Sequence, residues 1–330
     1  MTAPPEDILA PLRGLGLRPT GDGAPLTGGV SSDIWRIETA SGPICAKRAL
    51  SKLKVEADWR APIERSLYES RWLAHAHAVD ARIAPRMLGQ DEATGVLALE
   101  WLDPADRPTW KAELLAGRVD PAFAAQVGDA LGRIHAATAL VRAPEIADEF
   151  PTDDIFYAIR LEPYLAATAG AWPDLAPALE ALIHRTQTTK RTLVHGDVSP
   201  KNILAGPDGP IFIDAECAWA GDPAFDLAFC LNHMLLKRVA RPDRADLLAE
   251  SFERLAATYL ARVNWESTEE LEARAASLLP ALFLARVDGK SPAEYVTEEA
   301  DKDRIRNTAR PLIASPPNQL ADVAAAWAVS

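Results

Sequence analysis

The spacing of apolar residues divides the chain into a strand-rich beginning and a helix-rich remainder. Alternating or continuous apolar runs between turn residues predict five strands, in residues 26–37 (a hairpin of two), 43–49, 86–90 and 96–102. Apolar residues three and four apart predict helices near residues 8–15, 62–78, 121–140, 154–168, 174–188, 226–239, 243–262, 268–287 and 316–330. Because Asp103-Pro104 breaks the pattern and 330 residues exceed a typical single core, we expect an antiparallel β lobe in residues 1–102 and a larger helical lobe in 103–330.

One segment carries polar residues that packing does not explain. A short strand is predicted at residues 192–194 and a hairpin at 203–213, with Gly-Pro-Asp-Gly as its turn. Asp197 follows the strand, Asn202 precedes the hairpin and Asp214 ends it. We therefore expect these three side chains to meet at one edge of a small sheet.

Two carboxylates and an amide without an obvious positive partner in the local sequence would not stabilise a fold, because like charges repel and raise each other's pKa. They form a good cation site, since hard oxygen ligands suit Mg²⁺, which keeps waters and is shared with substrate phosphates. If Asn202 and Asp214 bind the metal, Asp197 is left to accept a proton from an attacking hydroxyl. This arrangement is typical of phosphoryl transfer.

Three sequence elements occur in order: His195-Gly196-Asp197 followed by Asn202, then Ile213-Asp214, then Gly221-Asp222-Pro223-Ala224-Phe225-Asp226-Leu227-Ala228. Together they resemble the signature of the aminoglycoside phosphotransferase and choline kinase superfamily, small-molecule relatives of the protein kinases. The resemblance implies an α+β, two-lobed, protein-kinase-like fold with one helix in the β lobe. It makes Asp197 the catalytic base and Asn202 and Asp214 metal ligands. Asp226 would support the catalytic loop from the following helix.

The same resemblance assigns a lysine of the third strand to the α- and β-phosphates of the nucleotide. Lys47 and Arg48 are adjacent there, and strand alternation places them on opposite faces. We assign the role to Lys47. Its carboxylate partner is expected on the next helix, where Glu69, just before an Arg-Trp-Leu run, is favoured over Glu64.

A hairpin tip before this strand can bind phosphates through backbone N–H groups and hydroxyls. Its small residues are Gly28, Gly29, Ser31 and Ser32. By resemblance, backbone groups of Glu100 and Leu102 bind the adenine edge. Glu216 lies two residues after Asp214 and points to the same side by strand alternation. A comparable Asp-x-Glu occurs in the methylthioribose kinase branch, so Glu216 is a further metal candidate, by direct contact or by supporting a ligand.

The composition narrows the class of partner. With 48% hydrophobic and 25% charged residues the chain is typical of globular proteins, and its net charge of -12 argues against nucleic acid. Three widely spaced cysteines favour neither a disulfide framework nor a zinc site, and reduced thiols indicate the cytoplasm. The acidic N-terminus is unlike a signal peptide, and no run approaches the roughly 18 apolar residues of a membrane span. We expect no membrane association.

These observations predict a Mg²⁺-dependent enzyme that moves the γ-phosphate of ATP (or GTP) to a hydroxyl of a sugar, amino alcohol, amino acid or aminoglycoside. His-Gly-Asp replaces the His-Arg-Asp of protein kinases and no long activation segment follows, so neither a protein substrate nor an obligate protein partner is expected. Basic residues in 267–330 disfavour a polycationic antibiotic and leave a hydroxylated or anionic metabolite plausible. The alternative is a non-catalytic nucleotide-binding regulator, which acceptor-dependent ADP release would exclude.

Two further features have structural interpretations. His135 lies beside an apolar helix face, and we interpret it as a hydrogen-bonded core residue. Residues 286–295 mix charge with glycine and could contact substrate. We favour helix caps there instead, with Gly289 ending one helix and Ser291 and Glu294 forming the capping box of another.

Overall fold

A computed structural model describes residues 3–26, 32–50 and 62–328, and it confirms the α+β fold class. Five strands near the N-terminus form one antiparallel sheet in the order β1-β2-β3-β5-β4. They are β1 (Pro19–Leu26), β2 (Ser32–Thr39), β3 (Gly42–Ala49), β4 (Met87–Asp91) and β5 (Val96–Glu100). Five strands were predicted, and the first begins earlier than the apolar pattern suggested.

Two helices cover opposite faces of this sheet. They are α1 (Glu6–Gly14) and α2 (Arg65–Val79). On β5, Val96 packs in a small core with Ile8 of α1, whereas Leu97 packs in the large core with Trp72 of α2. Successive strand residues point to opposite faces, so one strand serves both cores.

The same alternation separates the two cations of β3. Lys47 is buried and faces α2, where it contacts Glu69. Arg48 contacts Asp7 of α1 and, with Nη2 to Oδ2 at 2.7 Å, Asp33 of β2. The prediction that these two side chains lie on opposite faces of the sheet is confirmed, and each of them pairs with a carboxylate on its own face.

Helices form most of the described chain beyond residue 100. They are α3 (Trp110–Leu115), α4 (Pro121–Ala137), α5 (Ile146–Glu149), α6 (Asp153–Phe156), α7 (Ala167–Ala171), α8 (Ala176–Thr188), α9 (Ala224–Ala240), α10 (Ala245–Leu260), α11 (Thr268–Asp288), α12 (Glu299–Ala314) and α13 (Leu320–Ala328), with a π-helix (Tyr157–Ala166) and short 3₁₀ turns (Pro200–Asn202 and Pro242–Arg244). None of the helices in the described part of the chain has the length and apolar character needed to cross a membrane.

Four short strands interrupt the helices as two antiparallel pairs, β6 with β9 and β7 with β8. They are β6 (Thr192–Val194), β7 (Ile203–Gly206), β8 (Gly209–Phe212) and β9 (Trp219–Gly221). The large hydrophobic core runs from Trp72 and Leu97 to Leu131 and Phe283, so it crosses the expected lobe boundary. The division at residues 102 and 103 stays a prediction.

The helix predicted at residues 154–168 is instead α6 followed by the π-helix and α7. Pro163 lies inside the π-helix. Proline has no N–H to donate and its ring collides with the preceding turn of an α-helix, so a wider turn accommodates it. The sequence pattern showed the apolar face but not this change of pitch.

The capping box predicted at Ser291 and Glu294 is wrong. α11 ends at Asp288 with Gly289 after it, as expected, but the next helix begins only at Glu299. The polar groups of the supposed cap have other partners, since Ser291 accepts hydrogen bonds from Arg286 and Glu294 pairs with Lys111. This segment of irregular chain is therefore held by tertiary contacts.

Candidate active site

The β7–β8 hairpin brings Asn202 and Asp214 to one place. Ile203 pairs with Phe212 across the hairpin, and the Ile213 N–H donates to the Asn202 carbonyl at 3.0 Å. Asn202 and Asp214 therefore flank the open end of the hairpin. Asp214 has φ of 66°, the only positive φ of a non-glycine residue in the described ranges, and this left-handed conformation turns the chain out of the strand.

Asp226, in the first turn of α9, fixes the loop after β6. Its Oδ2 accepts a hydrogen bond from the His195 N–H at 2.7 Å, and its Oδ1 accepts one from the Gly196 N–H at 2.9 Å. Oδ2 also lies 3.3 Å from Nε2 of His135, whose Nδ1 is 2.8 Å from the Tyr259 hydroxyl. All of these groups are buried, so His135 has the hydrogen-bonded core position expected of it.

The His195 ring joins this loop to its neighbours. Burial lowers the pKa of His195, so the ring is neutral at physiological pH. Its Nδ1 accepts from the Asp197 N–H at 3.1 Å, and its Nε2 then donates to the Ile213 carbonyl at 3.1 Å. The ring also meets Trp72 of α2 edge-on, with centroids 4.6 Å apart. His195 thereby positions Asp197 relative to the hairpin and α2.

Asp197 is buried between two cations. Its Oδ2 lies 2.7 Å from Nη2 of Arg160 and 3.2 Å from Nζ of Lys201. Burial acts to raise the pKa of Asp197, but Arg160 and Lys201 more than offset it, so the pKa lies below its usual range. The sequence analysis found no obvious positive partner in the local sequence, yet Lys201 lies only four residues from Asp197. Asp197 is therefore ionised at neutral pH.

Arg160 is a site residue that sequence reasoning missed. It lies in the π-helix, is buried, and donates to the carbonyls of Gly196 and Ile159 as well as contacting Asp197. Its guanidinium stands over the Phe229 ring, 5.9 Å from the centroid. The available signal was a charged residue between Ile159 and Leu161 in an apolar run, because a buried arginine needs a partner.

Lys47 connects the sheet to the hairpin. Its Nζ lies 2.9 and 2.7 Å from the two carboxylate oxygens of Glu69 and also contacts Oδ1 of Asp214. Glu64 is exposed at the start of α2, so the partner expected for Lys47 is the one present. Burial acts to lower the pKa of Lys47, but Asp214 and Glu69 raise it above its usual range. Burial acts to raise the pKa of Asp214, but the contact with Lys47 and the charge of Lys201 more than offset it, so this pKa lies below its usual range.

Glu216 has a partner that the sequence did not indicate. Its Oε2 accepts from Nε of Arg65 at 2.9 Å, and the Arg65 side chain is fully buried. Arg65 also donates to the carbonyls of Leu50 and Pro62, both at 2.7 Å. Glu216 thus links the hairpin to the start of α2, and its predicted metal contact stays a prediction.

The other predicted nucleotide contacts are only partly described. Gly28, Gly29 and Ser31 lie outside the described residues, and Ser32 is buried at the start of β2. Glu100 ends β5, where its side chain accepts from the Arg86 N–H at 2.8 Å. Within the described chain the N–H of Leu102 makes no hydrogen bond, and its predicted contact with adenine stays a prediction.

The donors of the hairpin fit a magnesium ion. Nδ2 of Asn202 donates to the Asp197 carbonyl at 3.1 Å, which leaves the amide oxygen for another contact, and Lys47 contacts only Oδ1 of Asp214. Among the described residues no group of three or more His, Cys, Asp and Glu side chains is gathered for a metal. Mg²⁺ does not require one, because waters and substrate phosphates normally complete its coordination.

Comparison with known proteins shows the family of this chain. The chain belongs to the phosphotransferase enzyme family APH, whose profile matches residues 22–271. The resemblance inferred from the sequence is thereby confirmed. Methylthioribose kinase of Erwinia tasmaniensis is 25% identical over 240 residues, which cover 63% of this chain and 58% of that enzyme. The match thus spans less than two thirds of the relative's length.

Solved structures of low sequence identity share the fold. A choline/ethanolamine kinase family protein from Mesorhizobium loti superimposes with a TM-score of 0.54 at 17% identity, covering 94% of each chain. Amicoumacin kinase hAmiN, in complex with AMP-PNP, Ca²⁺ and Ami, gives a TM-score of 0.56 at 12% identity, also covering 94% of each chain. These similarities confirm the protein-kinase-like fold.

Proposed function

We propose that this protein is a Mg²⁺-dependent small-molecule kinase, which transfers the γ-phosphate of ATP (or GTP) to a hydroxyl group. The observation that carries the proposal is the contact of Lys47 with Asp214, which joins a buried cation of the sheet to the end of the β7–β8 hairpin. Asp197 is close enough to Asp214 for the charge of Asp214 to act on the pKa of Asp197, in the raising direction. A phosphate-binding cation, a metal donor and a base thus share one site.

The nucleotide would lie between the sheet and the hairpin. Lys47, oriented by Glu69, would contact its α- and β-phosphates, and the free N–H of Leu102 with the Glu100 backbone would bind adenine. Ser32 and the small residues before it would cover the phosphates. Amicoumacin kinase, which shares the fold, is in complex with AMP-PNP, so the fold is compatible with a bound nucleotide. Because the donor is ATP, we place the enzyme in the cytoplasm.

Asn202 and Asp214 would hold the metal, with Glu216 as a further candidate whose contact with Arg65 steadies the hairpin. Bound there, Mg²⁺ supplies positive charge to the phosphate oxygens. The acceptor oxygen forms a bond to the γ-phosphorus while the bond from phosphorus to the β,γ-bridging oxygen breaks, and ADP leaves. Asp197 accepts the hydroxyl proton. Its low pKa suits a carboxylate that orients the nucleophile and takes its proton late.

Asp214→Asn is expected to remove most of the metal dependence of nucleotide binding. The variant keeps the side-chain shape but loses a charge-assisted metal contact, so affinity for Mg·AMP-PNP should fall roughly tenfold or more. Calorimetric titration with Mg²⁺ and with EDTA measures the effect. Asp208→Asn, in the exposed turn at the other end of the hairpin, is the matched control. Unchanged metal dependence in Asp214→Asn would contradict the assignment.

An acceptor screen tests the function itself. ADP release would be measured with Mg·ATP and sugars, amino alcohols, amino acids or aminoglycosides, and we expect release that depends on at least one acceptor. The similarity to methylthioribose kinases puts hydroxylated sugars first in the screen. If nucleotide binds but no acceptor accelerates ADP release, the protein is a nucleotide-binding regulator instead.

A further inference from the structure

Three basic side chains of the helical region form a buried group that the proposed chemistry does not use. They are His233 and Lys237 of α9 and Arg286 of α11, named here the basic cluster. Lys237 is 1% exposed and Arg286 is 8% exposed. α9 packs against α11, and Arg286 donates to the hydroxyl of Tyr164, whose ring lies 5.4 Å from the Phe229 ring of α9, so the three groups lie where these helices meet. Burial chiefly lowers the pKa of His233, and the charges of Lys237 and Arg286 lower it further.

A series of side-chain contacts links the basic cluster to the proposed catalytic base. Arg160, which contacts Asp197, stands over the Phe229 ring. The Phe229 and His233 rings lie 5.6 Å apart, and with Lys237 they recur every four residues on one face of α9. Arg160 and Phe229 therefore lie between Asp197 and the basic cluster, and the two cluster residues of α9 are about 6 Å apart along the helix axis.

The two strong cations of the basic cluster have only neutral partners. Arg286 donates to the Tyr164 hydroxyl at 3.2 Å and to Ser291, while its buried Nε has no partner in the described chain. Nζ of Lys237 lies 3.4 Å from the Tyr295 hydroxyl and 4.5 Å from the centre of that ring. No carboxylate of the described residues forms an ion pair with either cation.

Buried cations normally pair with an anion, since desolvating an uncompensated charge is costly. The carboxylate whose charge acts on Lys237 is that of Glu294, which is largely exposed and pairs with Lys111. Burial first, and then Lys111 and Arg286, lower the pKa of Lys237 to about 7. A negative ligand would relieve this repulsion.

We propose that the phosphate acceptor carries a negatively charged group, a carboxylate or a phosphate, which Arg286 and Lys237 bind while the acceptor hydroxyl lies at Asp197. This inference rests on the proposed kinase function. The nucleotide is an unsuitable source of the anion, because its proposed phosphate contact Lys47 lies on β3, whereas the basic cluster belongs to α9 and α11. Lys201, which contacts Asp197, has a side chain that is 55% exposed to solvent.

An anion-binding measurement tests the basic cluster without turnover. The nucleotide site would be filled with Mg·AMP-PNP, and sulfate, in place of a phosphate group, or malonate, in place of a carboxylate, would be titrated in. One anion should bind, with affinity lowered roughly ten- to a hundredfold in Lys237→Met and in Arg286→Gln. Lys290→Met, which removes an exposed cation paired with Glu162, should bind normally.

Lys237→Met replaces a buried ammonium with an apolar side chain of similar length, so this variant is expected to fold. The test therefore stays decisive even if Arg286→Gln does not fold. Stronger binding of sulfate would favour a phosphate on the acceptor, and stronger binding of malonate would favour a carboxylate. Absence of anion binding, or equal binding by Lys237→Met and the parent, overturns the inference.

A pH series adds a signature that a structural role would not produce. The affinity for sulfate, whose charge is constant, should fall as pH rises above about 7, because neutral Lys237 must then take up a proton on binding. The facing groups are Arg286, Lys111, Glu294 with a lowered pKa, His233 with a lowered pKa, and Cys230 and Tyr295 with raised pKa values. None of these shifts gives a change of charge near pH 7, so the dependence should vanish in Lys237→Met.

Paired acceptors separate this inference from the kinase proposal. ADP release would be compared for gluconate against glucose and for glycerate against glycerol. Preference for the charged member, with KM raised and kcat unchanged in Lys237→Met, supports the inference. If the neutral acceptor of each pair is used equally well, the inference of an anionic acceptor is refuted, but the proposed kinase function stands. If anion binding depends on Lys237 but no acceptor accelerates ADP release, the anion site stands and the proposed kinase function is refuted.

Discussion

Replacing Asp197 with asparagine is expected to lower kcat by at least about 100-fold while nucleotide binding survives. The amide keeps the shape of the side chain but cannot accept the proton of the attacking hydroxyl. Asp197 is held by Arg160, Lys201 and its own N–H bond to His195, so the carboxylate is already in place before substrate binds. Acceptor-dependent ADP release measures kcat, and calorimetry with Mg·AMP-PNP measures the nucleotide affinity.

Loss of the carboxylate also leaves Arg160 without its ion partner, so the folded fraction of the Asp197→Asn variant must be measured beside its activity. Asp208→Asn again serves as control, because Asp208 is exposed in the β7–β8 turn. The role of Asp197 would be refuted if a fully folded Asp197→Asn turned over like the control. A parallel loss of nucleotide affinity would instead assign Asp197 to binding.

Gly196→Ala is expected to lower the free energy of unfolding by about 2 to 4 kcal/mol, because backbone strain and steric overlap act together. Gly196 has φ of 78°, which side chains rarely adopt, and an added Cβ would lie 2.5 Å from the Cys217 carbonyl oxygen. Its N–H also donates to Asp226, so relief of the overlap must move the catalytic loop. Denaturant unfolding measures the loss of stability, and kcat should fall with it.

Gly170→Ala provides the contrast for this prediction. Gly170 lies in α7, has no positive φ, and an added Cβ there meets nothing within 4 Å. Alanine favours a helix by up to about 1 kcal/mol over glycine, so this variant should be neutral or slightly more stable. If Gly196→Ala unfolded at the same denaturant concentration as Gly170→Ala, the tight approach of Gly196 to Cys217 would not exist in solution.

The accuracy of the sequence predictions followed the range of the interactions involved. The hairpin that carries Asn202 and Asp214 was predictable because turn residues and short apolar runs act locally. The choice of Glu69 for Lys47 depended on resemblance, since nothing in the helix pattern distinguishes it from Glu64. The failed capping box at Ser291 and Glu294 shows the limit, because Glu294 pairs with Lys111, which is far away in the sequence, and no local motif indicates that contact.

The amino-acid sequence by itself determined the family, most of the strands and helices, and the candidate side chains Asn202 and Asp214 of the β7–β8 hairpin, because periodicity and short motifs indicate them. It did not indicate α12 or β9. Only the tertiary structure decided that Arg160 contacts Asp197, that Arg65 contacts Glu216, and that Lys237 is buried without a carboxylate partner among the described residues. Such pairings join residues far apart along the chain. Their energies depend on burial and on distance in space, which no local pattern specifies.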